Sequence, residues 1–110
     1  MTIFITQGRY NSDAIKGLMS KPEDRTEEIG KLVAAAGGRL LSYYNTMGEY
    51  DFLLIAEGPS EKDVITSLLV AAATGTVTDL KTTVAISGGD MKQCLAKAAT
   101  IAGKFRPAGR

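Results

Sequence analysis

Leu40-Leu41-Ser42-Tyr43-Tyr44-Asn45-Thr46-Met47-Gly48-Glu49-Tyr50-Asp51-Phe52-Leu53-Leu54-Ile55-Ala56 is the stretch on which the fold turns. Two apolar, β-prone runs, Leu40 to Thr46 and Phe52 to Ala56, flank a turn at Gly48-Glu49. Glycine in the first central position tolerates positive φ. The spacing therefore predicts a type II′ hairpin joining a strand over Arg39 to Met47 with one over Tyr50 to Glu57. In that register Met47 opposes Tyr50, Asn45 opposes Phe52 and Tyr43 opposes Leu54. Tyr43, Asn45, Tyr50, Phe52 and Leu54 then share one face, and Leu40, Ser42, Tyr44, Asp51, Leu53 and Ile55 share the other.

Toward the N-terminus, Thr2 to Gln7 is short, β-branched and aromatic, which predicts a first strand. Asn11-Ser12-Asp13 caps a short helix carrying Ile15, Leu18 and Met19, weakened by Gly17. Ser20 and Glu23 form a capping box with Pro22 in the first turn. They predict a main helix with Ile29, Leu32, Val33 and Ala36 on one side and an exit through Gly37-Gly38. Toward the C-terminus, Ser60 and Asp63 repeat the capping pattern before Val64, Ile65, Leu68, Leu69 and Ala72, a helix expected to end at Gly75. Thr76 to Ser87 is β-branched and reads as a fourth strand, with Leu80, Thr82, Val84 and Ile86 on one side. Ser87 or Asp90 caps a last helix carrying Met91, Leu95, Ala98 and Ala102, with Cys94 expected as a small core filler. This β-α-β-β-α-β order predicts an α+β, ferredoxin-like sandwich with an antiparallel sheet and an extra C-terminal helix. One domain over residues 1–110 is expected, with a flexible basic tail over about 104–110.

The third strand is apolar on both sides, Phe52 and Leu54 against Leu53 and Ile55. Helices cover one side of such a sheet, so something else must cover the second. A second copy is the simplest cover, and face-to-face pairing of order 1,200 to 2,000 Å² supports a stable homodimer or a higher homo-oligomer.

Tyr43-Tyr44-Asn45-Thr46-Met47-Gly48-Glu49-Tyr50-Asp51 resembles the signature of the GYD-domain proteins, whose name comes from that Gly, Tyr and Asp. Here Glu49 stands between Gly48 and Tyr50. The resemblance runs from about Ile3 to Ile101, taking in the Gly-Gly exit before the second strand and the helix after Gly58-Pro59-Ser60. It implies a dimeric α/β-barrel fold and names no reaction.

Thirteen basic against twelve acidic residues leave a net charge of +1, with 45% hydrophobic content. Such a balance gives little attraction for phosphate backbones, and nucleic acid is not expected as a partner. The faint echo of RNA-stacking motifs in Ile3 to Gly8 and Gly48 to Phe52 lacks the basic leading residue those motifs carry. No run approaches the ~20 apolar residues that cross a bilayer, and the start lacks a signal-peptide pattern, so a cytoplasmic protein without a membrane partner is expected. The sequence holds no histidine and one cysteine, Cys94. Histidine-assisted hydrolysis, histidine metal sites and cysteine clusters are thereby excluded within one chain, and neither metal nor cofactor is expected. Gly88-Gly89-Asp90-Met91-Lys92 lacks the spacing of a phosphate loop and reads as a helix start. The remaining polar candidates are Gln7, Arg9, Tyr10, Tyr43, Asn45, Tyr50, Asp51, Asp79 and Lys81. Of these, Arg9, Tyr10, Tyr43, Asn45, Tyr50 and Asp51 are the expected ligand-binding set. A pocket between sheet and helices, lined by Phe4, Tyr43, Phe52 and Leu54, would make the chain a small-molecule binding module, and the doubly apolar third strand would make it an assembly or regulatory module. The alternative is a cofactor-independent enzyme that uses a tyrosine or carboxylate of perturbed pKa. For Asp51 the competing structural reading is acceptance of backbone N–H bonds at the hairpin mouth, or pairing with Arg9 or Lys81.

Overall fold

A computed structural model describes residues 2–110. Strands β1 (Thr2–Tyr10), β2 (Arg39–Asn45), β3 (Phe52–Gly58) and β4 (Val77–Ala85) form one sheet in the order β2-β3-β1-β4. Every pairing is antiparallel. Helices α1 (Ser12–Ser20) and α2 (Thr26–Ala35) connect β1 to β2, and α3 (Glu61–Ala73) connects β3 to β4. Helix α4 (Gly88–Ile101) and a one-turn 3-10 helix, Ala102–Lys104, follow the sheet. The arrangement is the ferredoxin-like α+β sandwich with one added C-terminal helix.

The central hairpin keeps its expected register: Asn45 faces Phe52 and Tyr43 faces Leu54. Its connection differs. The strands stop at Asn45 and restart at Phe52, and a longer loop is closed by Thr46 N–H donating to the Asp51 carbonyl and Thr46 Oγ1 donating to that of Tyr50. The loop is lengthened equally on both sides of Gly48-Glu49, so the pairing survives. Tyr50 and Asp51, however, leave the strand and its two faces. A β-bulge between Leu40 and Ser42 corrects a second expectation. It pairs Leu40 with Ala56 and turns Leu40 to the helix side, where its Cδ2 lies against Gly30.

Strand β1 runs past Gln7 to Tyr10, so Arg9 and Tyr10 end a strand rather than begin a loop. Gly8 permits this, because the Phe52 ring and Leu80 fill the space its side chain would need. A bulge opposite Gln7 and Arg9 leaves Asp79 of β4 at φ 53°, a left-handed conformation that aspartate tolerates better than most residues.

Asn11 caps α1 as expected, accepting from Ala14 N–H at 2.8 Å, while its amide donates to the Gly75 carbonyl. The main helix does not start at the Ser20 capping box, because Ser20 is still the last residue of α1. Asp24 takes over at the start of α2, accepting from Thr26 N–H at 2.9 Å. Hydrogen bonds from Thr26 hold the Asp24 carboxyl below the usual carboxylate range. The exit is a Schellman motif: Gly38 N–H donates to Val33, Gly37 N–H donates to Ala34, and Gly37 sits at φ 97°. At α3 the Ser60 hydroxyl donates to the Asp63 carboxylate instead of capping the backbone.

Phe4, Thr6, Phe52 and Ala56 are buried on the helix side of the sheet, together with Val33 of α2. The core is small. Ile65 and Leu69, expected on the packed side of α3, are exposed, and so is every residue from 86 to 110. Cys94 is exposed rather than a core filler, because α4 lies along none of the sheet. Among the described residues, no helix is long and apolar enough to cross a membrane.

Candidate functional site

Helices α1 and α2 on one side and α3 on the other diverge over the sheet and leave a cavity of about 630 Å³. Its floor is Phe4, Thr6, Phe52, Leu54, Ala56 and Leu80. Leu18, Ile29 and Leu32 form one wall, and Val64, Leu68 and Ala71 the other. The floor follows from two-residue periodicity: Phe4 and Thr6 share a face of β1, and Phe52, Leu54 and Ala56 share a face of β3. Thr6 is the one polar side chain in this floor, and it is satisfied laterally, its hydroxyl 2.9 Å from that of Thr82 on β4. The cavity's charged lining residues are Asp13, Lys21, Glu23, Arg25, Glu28, Glu57 and Asp63, with Glu23 paired to Arg25, Glu28 to Lys31 and Glu57 to Arg39.

Of the six residues expected to meet a ligand, Tyr10 lines this cavity. Its ring packs against Phe52 with centroids 5.3 Å apart. Its hydroxyl lies 2.8 Å from that of Tyr43, whose oxygen accepts from Asn45 Nδ2 at 3.2 Å. Tyr43 also stacks on Phe52, with ring centroids 6.4 Å apart. Tyr43 and Asn45 also line a shallow cleft with Pro22, Glu23 and Thr26. A hydrogen-bonded chain thus runs from that outer cleft to the cavity wall. Burial pushes the Tyr10 phenol above its ordinary range. The phenol therefore holds its proton throughout the physiological range.

The other three expected residues are gathered by the hairpin loop. Arg9 Nε donates to the Glu49 carbonyl at 2.6 Å, and its guanidinium lies 5.5 Å from the centre of the Tyr50 ring and 3.7 Å from the Asp79 carboxylate. Asp51 works as a clip: its carboxylate accepts the Tyr10 N–H at 2.8 Å while its own N–H donates to the Gly8 carbonyl. The clip fixes the end of β1 and so aims Tyr10. Thr6 and Arg25 are site residues that the sequence reading passed over. The alternation Phe4-Ile5-Thr6 placed Thr6 on the floor, whereas Arg25 stands in a connection that no periodicity locates.

Among the described residues, no three His, Cys, Asp or Glu side chains group as metal ligands would. The chemistry on offer is a largely apolar enclosure with the Tyr10 phenol and the hydroxyls of Thr6, Ser67, Thr74 and Thr76 in its lining.

A family model described as GYD domain matches residues 4–95. No curated protein matches the chain. Among solved structures, FFRP-DM1 is 18% identical with a TM-score of 0.53, covering 78% of this chain and 100% of its own. TTHA0845 from Thermus thermophilus is 13% identical with a TM-score of 0.52, covering 80% of this chain and 96% of its own. MtbAldR is 13% identical with a TM-score of 0.56, over 78% of this chain and 52% of its own. At such identities the likeness is one of fold.

Proposed function

The chain belongs to the GYD-domain family, and on that footing we propose that it is a homodimeric module that binds a small apolar molecule carrying a hydrogen-bond acceptor. The observation that carries this reading is the apolar cavity with the Tyr10 hydroxyl on its wall. A pocket of several hundred Å³ with few polar groups suits a drug-sized organic molecule. The Tyr10 and Tyr43 hydroxyls share one hydrogen bond in which either can be the donor; with Tyr43 donating, the Tyr10 proton is free to point at a carbonyl, ether or ester oxygen of the ligand. The helix-free side of the sheet, with Ile3, Ile5, Leu53 and Ile55, is the surface through which two copies would pair.

Thermal unfolding with α-tetralone and with tetralin, a ketone and its near-isosteric hydrocarbon, tests the reading. The ketone should stabilise the protein with about tenfold tighter apparent binding, one hydrogen bond's worth, and Tyr10→Phe should erase the difference. Stabilisation by neither compound, or an equal preference in Tyr10→Phe, would count against it.

A further inference from the structure

Helix α4 and the tail beyond it form an arm that is incomplete as it stands. Met91, Leu95, Ala98 and Ala102 recur at spacings of four, three and four, which places them along one side of the helix. Leu95 is 63% exposed and Phe105 76%, and Met91 and Ile101 are about half exposed. A helix of this length is marginal in water unless its apolar side is packed. The arm also lengthens the molecule: its Cα radius of gyration is 17.9 Å, against about 13 Å for a compact chain of this size. It leaves from β4, an edge strand, and extends away from the body that carries it.

Charge indicates where it goes. Residues 88–110 hold five cations and one carboxylate, a net +4, which leaves −3 on the rest of the chain. The cavity has an apolar floor, and its lining holds five carboxylates, of which Glu23, Glu28 and Glu57 already pair with Arg25, Lys31 and Arg39, while Asp13 and Asp63 enter no ion pair among the described residues. We propose that α4 of a second copy lies along the cavity's opening as a roof, its apolar side over the cavity and its lysines against Asp13 and Asp63. This is the helix-in-groove mode of recognition. Exchanged reciprocally between the two copies of the sheet-paired dimer, the helices add to the area that sheet pairing buries and do not replace it. The partner then contributes Leu95 to the lining of each cavity. The inference concerns what closes the cavity and holds whether or not a small molecule occupies it.

Cys94, the sole cysteine and exposed on α4, gives the test. Val70 lies on the α3 side of the opening and is 52% exposed, so Val70→Cys leaves the core untouched. A short bis-maleimide added to full-length Val70→Cys should yield a covalent dimer joined through residues 70 and 94, mapped by peptide mass. Adding Leu95→Asp should cut that yield about tenfold while the far-ultraviolet circular dichroism stays the same. A link formed within one chain, a dimer joined through two copies of Cys94 equally well in the parent protein, or no product at all would each overturn the proposal.

Discussion

Asp51 and Tyr10 show how one residue's backbone chemistry can set another's side-chain role. The Asp51 carboxylate holds the last N–H of β1, and Tyr10, so fixed, presents its phenol to the cavity. Removing the acceptor by Asp51→Ala leaves a part-buried amide unpaired, which should destabilise the fold by about 1–3 kcal/mol in chemical denaturation. Asp51→Asn keeps an acceptor and should recover more than half of that loss. Equal losses in the two variants would show that the contact acts through charge and not through the clip. In the sequence, Asp51 was legible as either a clip or a ligand contact, because a carboxylate at a hairpin mouth suits both. Only the position of the Tyr10 N–H distinguishes them. The Tyr10–Tyr43–Asn45 chain was invisible for a related reason: hydrogen bonds between β1 and β2 cross the intervening strand β3, and no local pattern encodes them.

At the level of elements, the strands and helices were largely legible because each carries a periodicity and an end signal. The register of β2 on β3 was readable although the turn was not: a connection lengthened equally on both sides preserves the pairing. Where the reading failed, a local irregularity had intervened. The bulge at Leu41 reverses the side on which Leu40 lies, and the survival of α1 through Ser20 displaces the start of α2. The Gly37-Gly38 exit was read correctly, and its requirement is steric as well as conformational. A Cβ on Gly38 would fall 2.6 Å from the Glu57 carbonyl oxygen and 3.1 Å from Val33. Gly38→Ala should therefore destabilise the protein by roughly 2 kcal/mol, within the range of overpacking. A thermal midpoint within a degree of the parent's would show that the β2–β3 edge yields freely.

On the scale of the whole molecule, the proposal that a second copy completes the chain rests on a small core, an open cavity and an unpacked arm. The doubly apolar β3 already carried that message in the sequence, since Leu53 and Ile55 alternate with Phe52 and Leu54 where a solvent-facing strand would place polar residues. The arm was not legible in this way: its apolar spacing is that of any packed helix, and nothing local tells whose surface it meets. Ile55, between Ile5 of β1 and Ser42 of β2, lies at the centre of the helix-free side. A lysine there would be solvated in a monomer and buried without a partner in a paired sheet. Sedimentation equilibrium of the parent chain and of Ile55→Lys at micromolar concentration tests this most directly. The account predicts twice the chain mass for the parent and a folded species of single mass for the variant; a parent that stays strictly monomeric would contradict it.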